Sequence, residues 1–390
     1  MELPEQVVVW VFLGLCLFVS RIRLGVGFPD MREDAAMSLS ALFDTVSDPR
    51  AANASHRLSD VILVMIAAVM CGRKTATDIA LFAELRREAL APLLHNDTMP
   101  SHDTISRLLR VIDPSEFGAV LRRFSAAFGE ATGCHVAIDG KALRRACDAD
   151  ARTTPPMMVS AWASEVGLTL AALPGAENGQ TDEGRLAVEV VQLLDLTGKI
   201  VTADALHANR AMAEALTQGG CDYILRLKRN RAAWCDEAEA LFARSDAEPV
   251  RQSSVEHGRK EWREATVIAC AVPRASGHKA YGRIIAGRGD EPAVTRYYLL
   301  SKKFEPAALL TYARAHWNVE TALHWTLDVH LAEDQNRGRR DHSPANIGLL
   351  NRFARNLLQL AETNKTPISH RITKCTFSDT YLTNALSHMQ

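Results

Sequence analysis

At 390 residues, with 47% hydrophobic and 23% charged positions, the chain has material for more than one buried core, which excludes a disordered or low-complexity protein. Forty-five Lys and Arg against 46 Asp and Glu leave a formal charge of −1, so a polybasic coat is excluded and any attraction for polyanions must be local. The eight cysteines never form a C-x-x-C pair and read as reduced thiols of a cytoplasmic protein.

Residues 1–37 stand apart. The apolar run 7–19 is shorter than the roughly 18 residues a membrane span requires, and the acidic residues before it do not suit a signal peptide. A buried helix or an upstream start explains it better than a membrane anchor. Residues 38–130 read as an all-helical domain: a buried helix over 57–69, a second over 77–94, and a third that Ser101 or Asp103 caps and Asp113-Pro114 ends. From about 131 to 364 the pattern is mixed α/β, with strands expected at 135–140, 157–162, 168–173, 199–204 and 223–227 and helices at 183–194 and 208–218. Residues 235–305 read as a β-rich insertion with strands near 263–272, 281–287 and 295–300. Helical spacing returns over 306–331 and 344–363, and 365–390 is a polar tail.

Three acids stand out by position. Asp139 and Asp204 each end a short apolar strand, where α/β sheets present side chains to ligands. Glu320 sits mid-helix with His316 and His324 four residues to either side, on one face. Three carboxylates suit a hard divalent cation, Mg²⁺ with Mn²⁺ as substitute, and two such ions serve phosphodiester chemistry. Asp328 and Glu333 are the fallbacks for Glu320. Zinc spacing is absent, as are a phosphate-binding P-loop and a dinucleotide fingerprint, so no nucleotide cofactor is expected. Basic runs trail each acid: Lys141, Arg144 and Arg145; Arg226, Lys228, Arg229 and Arg231; Arg337, Arg339 and Arg340. Together they suggest a groove that tracks phosphates, with Lys141 and Lys228 meeting them.

The ordered blocks around these residues resemble a family, the DDE transposases of bacterial insertion sequences of the As type, which include the H-repeat-associated proteins. His56-Arg57-Leu58-Ser59-Asp60 and Pro100-Ser101-His102-Asp103-Thr104 are similar to its N-terminal associated domain. Ala137-Ile138-Asp139-Gly140-Lys141 resembles the first catalytic block and Val201-Thr202-Ala203-Asp204-Ala205 the second. Arg314-Ala315-His316-Trp317-Asn318-Val319-Glu320, followed by Leu323-His324-Trp325, resembles the third. The resemblance implies an RNase H-like fold and Asp139, Asp204 and Glu320 as a metal-binding triad. It also implies hydrolysis at element ends and attack of the freed 3′-hydroxyl on target DNA. Double-stranded DNA would be the partner, met by Lys141, Arg144, Arg145, Lys228, Arg314, His316, Trp317 and His324, with a homodimer formed in the DNA complex. The chain departs from the family pattern at Thr321, at Gln180-Thr181-Asp182-Glu183 and at Leu206-His207-Ala208-Asn209. These departures leave open a DNA-binding member of the family that no longer cuts.

Overall fold

The computed structural model describes residues 38–147, 154–175, 182–256, 259–289, 291–362 and 366–387; the apolar run 7–19 lies outside them. Helix α1 (Leu39–Phe43) leads into α2 (Leu58–Met70), whose thirteen residues are all buried, as its unbroken apolar composition demands. Helix α3 (Ala76–Leu85) ends sooner than its apolar spacing suggested, giving way to short turns up to Leu93. Ser101 caps α4 (His102–Val111) by accepting from the Thr104 N–H, which settles the Ser-His-Asp run as a helix start. Asp113 caps α5 (Pro114–Ala126) in the same way, through the Ser115 N–H.

The strands β1 (His135–Ala142), β2 (Met157–Ala163) and β3 (Leu168–Pro174) form an antiparallel meander. Helix α6 (Glu183–Gln192) then crosses to β4 (Ile200–Ala203), and α7 (Arg210–Gln218) to β5 (Asp222–Leu227). These crossovers make β1, β4 and β5 parallel neighbours. That five-stranded order, 3-2-1-4-5, is the RNase H-like core.

The insertion does not form a separate module. After α8 (Ala232–Ala243), the strands β6 (Val250–Glu256), β7 (Arg259–Ala269), β8 (Ala280–Arg288) and β9 (Val294–Leu300) return so that β9 pairs with β5. One nine-stranded sheet results. Strand β6 escapes sequence reading because it is a polar edge strand with a single neighbour.

Both sheet faces are covered. Val136 and Ile138 of β1 face α6, α7 and α8, while Ala137 between them faces the N-terminal helices and α11 (Ser343–Leu360). Between β9 and α11 lie α9 (Pro306–His316), a π-helical turn (Val319–His324) and the short α10 (Trp325–Val329).

The polar tail proves to be two helices, α12 (Ile368–Phe377) and α13 (Asp379–Ser387), which bury Cys375, Leu382, Ala385 and Leu386 in the same core as α2 and α11. Sparse apolar residues at helical spacing suffice where a partner face is available. Buried Arg371 of α12 donates to the Leu358 and Gln359 carbonyls, satisfying the C-terminal end of α11. No helix among the described residues is long and apolar enough to cross a membrane.

Candidate active site at the tips of two parallel strands

The β1–β4 register pairs Ile138 with Ala203, so Asp139 and Asp204 leave the end of the parallel ladder side by side. Asp139 is not at a strand end, as read from sequence. Strand β1 runs on to Ala142 against β2, with Asp139 opposite Ser160. Asp139 is mostly buried, and that burial, reinforced by the negative charges of Glu320 and Asp204, pushes its carboxyl up to about 7. Burial acts on Asp204 in the same sense, but Lys228 Nζ at 2.9 Å and Arg226 Nη1 at 3.3 Å outweigh it and hold that carboxyl below its usual value.

Glu320 lies in the π-helical turn, exposed and without a hydrogen-bond or ion-pair partner among the described residues. Wider helical turns of this kind occur often at functional sites. Its two fallbacks are occupied. Asp328 pairs with Lys141 at 2.7 Å, and Glu333 is buried against the Arg352 guanidinium at 2.9 Å.

The flanking histidines face inward. His316 Nδ1 lies 2.9 Å from the Thr202 hydroxyl, and His135 Nε2 lies at the same distance from that hydroxyl. Burial holds His316 down to about 4 and His135 down to about 3, so both rings are neutral. One hydroxyl donates once, so one ring accepts from Thr202 and the other presents its N–H to it. His324 Nδ1 stands 3.6 Å from Asp139 Oδ2, and burial, with the Arg352 and Lys141 charges, holds it neutral at about 3. Neither His316 nor His324 is a cation offered to phosphate.

Of the expected phosphate contacts, Lys141 is buried between Asp328 and Asp334, and Arg144 is exposed with Asp334 at 3.4 Å. Arg145 is exposed, its carbonyl accepting from Arg339. Lys228 is about half exposed and donates to Asp204 at 2.9 Å. Arg314 and Trp317 border a cleft of about 520 Å³ between α9 and strands β7–β9, to which Arg263, Arg288, Arg296 and Trp262 contribute. Arg296 stacks on Trp317 and Arg251 on Trp262. Gly287 is required beneath Trp262, since a Cβ there would meet the indole at 2.6 Å. The cleft reaches Thr321, beside Glu320. Sequence reading missed Arg263, Arg288 and Arg296 because alternation along three paired strands, not proximity in sequence, gathers them.

The donor chemistry at the strand tips fits a hard divalent ion: carboxylates from separate elements, with Lys228 and Arg226 standing on Asp204 as cations do. Among the described residues no three His, Cys, Asp or Glu side chains are gathered tightly enough to enclose an ion. Mg²⁺ keeps several waters and needs only one or two carboxylates beside substrate phosphates, so no closed cage is required.

Comparison with known proteins agrees with this architecture. The DDE_Tnp_1-associated family matches residues 40–125 and the transposase DDE domain family residues 130–357. YhhI of Escherichia coli (strain K12), named an H repeat-associated candidate transposase, is 28% identical over 85% of this chain and 93% of its own. YncI of Escherichia coli O157:H7, named a candidate transposase, is 27% identical over 90% of this chain and 95% of its own. Among solved structures, the piggyBac transposase in its synaptic complex with hairpin DNA is similar at a TM-score of 0.42 and 13% identity. That match covers 94% of this chain and 80% of the other, and the likeness is too distant to bear on the site. With residues 130–357 matched, this chain belongs to the transposase DDE domain family.

Proposed function

We propose that the protein is a Mg²⁺-dependent DNA transposase that cleaves the ends of an insertion sequence and joins the freed 3′-hydroxyl to target DNA, with Asp139, Asp204 and Glu320 as the metal-holding acids. The observation that carries this reading is the different condition of the acids. Two lie side by side where the parallel ladder of β1 and β4 ends, and a third is exposed and unpaired among the described residues, while Asp328 and Glu333 are taken up by buried cations. A divalent ion held there supplies Lewis-acid polarisation of the scissile phosphate and a more acidic attacking hydroxyl. In the first step water adds across the P–O bond and the element strand leaves with a 3′-hydroxyl. In the second that hydroxyl displaces a target 3′-oxygen, so one phosphodiester replaces another.

The chain's own residues orient this chemistry. Lys228 and Arg226 keep Asp204 ionised, and neutral His324 stands against the Asp139 carboxyl without adding a charge. The arginine- and tryptophan-lined cleft beside Glu320 is the path for the DNA backbone, its aromatic rings offering base-stacking surfaces. Trp317→Ala is expected to weaken binding of single-stranded end DNA by about 1–3 kcal/mol, with little change in unfolding temperature. Fluorescence anisotropy at fixed salt checks it, and unchanged affinity removes Trp317 from the interface.

The test of the whole reading is incubation of labelled DNA, carrying the ends that flank the gene, with the protein and Mg²⁺. Cut ends and joined molecules are expected. Cut ends without joined molecules make the protein a nuclease, and binding without either product makes it a non-cutting member of the family.

A further inference from the structure

Each element that delivers an acid carries a second polar residue a few positions earlier: His135 of β1 before Asp139, Thr202 of β4 before Asp204, and His316, the last residue of α9, before Glu320. The β1–β4 register sets Ala137 beside Thr202, so His135, Ala137 and Thr202 share one face of the sheet by the alternation of strand side chains. Val319 and Leu323 of the π-helical turn pack in the core on that face, with Ala137. There the three polar residues meet. The Thr202 hydroxyl lies 2.9 Å from His135 Nε2 and 2.9 Å from His316 Nδ1, so it bridges the two rings and joins both strands to the end of α9. Ser164, just past β2, donates to the Ala315 carbonyl at 3.3 Å, a second hold on the same helix end.

His135 and Thr202 are buried, and apolar side chains would fill that space without the cost of taking imidazole and hydroxyl groups out of water. What the bridge adds is direction. Apolar contact through Val319 and Leu323 tolerates sliding and rotation, whereas a hydrogen bond holds over a narrow range of distance and angle. Glu320 needs such a hold from elsewhere, because its own side chain has no hydrogen-bond or ion-pair partner among the described residues. Its position is inherited from the backbone that leaves α9 four residues earlier, and His316 is where that backbone is tied to the strands. The layer lies close under the acids: the Asp204 charge reaches the His316 ring, although burial outweighs it.

We propose that His135, Thr202 and His316 form a positioning layer for the acid site, holding the end of α9 against β1 and β4 so that Glu320 stands in register with Asp139 and Asp204. None of the three is a ligand; each acts through the acid that shares its element. The proposal rests on the metal-dependent reading of the Asp139, Asp204 and Glu320 site and names what sets its geometry.

Calorimetric titration of the full chain with Mn²⁺ tests it, without DNA and without turnover. Thr202→Val keeps the shape of the side chain and removes the bridge; it is expected to weaken Mn²⁺ binding by about tenfold or more, a loss typical of residues that orient metal ligands from behind. Thr202→Ser returns the hydroxyl and is expected to restore binding. His316→Leu cuts the same link from the helix side, and the double variant is expected to bind as weakly as either single one, since changes within one link do not add. Ser125→Ala is the control for a purely structural loss. It removes a buried hydroxyl that donates to the Thr169 carbonyl at 2.8 Å, on the edge strand β3, and is expected to lower the unfolding temperature in chelator while leaving Mn²⁺ binding unchanged. If Thr202→Val binds Mn²⁺ like the wild type while Asp204→Ala does not, or if Ser125→Ala weakens binding as much as Thr202→Val, the layer serves only the stability of the fold. The proposal is then overturned, the three-acid site remaining. If Asp204→Ala also binds unchanged, the three-acid reading falls and this proposal with it.

Discussion

Glu320→Ala is expected to abolish Mg²⁺-dependent cleavage, a loss of at least about 10³-fold, or about 4 kcal/mol of transition-state stabilisation. The fold should survive, because Glu320 is exposed, makes no hydrogen bond or ion pair among the described residues and sits on a π-helical turn whose packing comes from Val319 and Leu323. Asp139→Ala and Asp204→Ala are expected to lose cleavage to the same degree. Asp328→Ala is the informative contrast. Its carboxylate serves Lys141, which retains Asp334 at 2.9 Å, so cleavage should stay within about tenfold of wild type while stability falls. Single-turnover cleavage beside urea unfolding separates the two effects. Cleavage by Glu320→Ala together with silence from Asp328→Ala would move the third acid to Asp328.

The largest effect on stability is expected at Glu333→Ala, at about 3–5 kcal/mol. Glu333 and Arg352 side chains are 1% and 0% exposed, and their ion pair lies at 2.9 Å within the core. Removing the carboxylate strands a guanidinium that keeps only the Ser160 hydroxyl and the Gly348 carbonyl. Replacing both partners, Glu333→Leu with Arg352→Met, is expected to recover most of the loss, since no buried charge is then left alone. Ser160 lies opposite Asp139 in the β1–β2 register, so this ion pair also supports the floor of the site. A shift in the urea midpoint equivalent to under about 1 kcal/mol for Glu333→Ala would show the pair to be dispensable.

Much of the scaffold is legible from local chemistry. Ser101 caps the helix that follows it, and the apolar runs before Asp139 and Asp204 form adjacent parallel strands. Those signals are carried by residues a few positions apart, within reach of hydrogen bonding and side-chain periodicity. Lys141 shows where such reading stops. A lysine two residues after a candidate metal acid looks like a phosphate contact, yet two aspartates almost two hundred positions later claim it and bury it. His316 and His324 share this fate: their spacing around Glu320 is as read, but the π-helical turn and the strands beneath direct them to Thr202 and Asp139.

The sequence by itself determined the order of β1 to β5 with α6 and α7 between them, the near-neutral charge, the strand-borne aspartates and the block order that marks the family, because each is a property of short segments. The tertiary structure alone decided that the insertion extends the central sheet and that the last helices close the N-terminal core. It also decided that Glu320, among three nearby acids, has no hydrogen-bond or ion-pair partner among the described residues. Each of those outcomes depends on which distant partner reaches a charge or an apolar face first. A buried group takes the nearest partner in space, and nothing in its own segment names that partner.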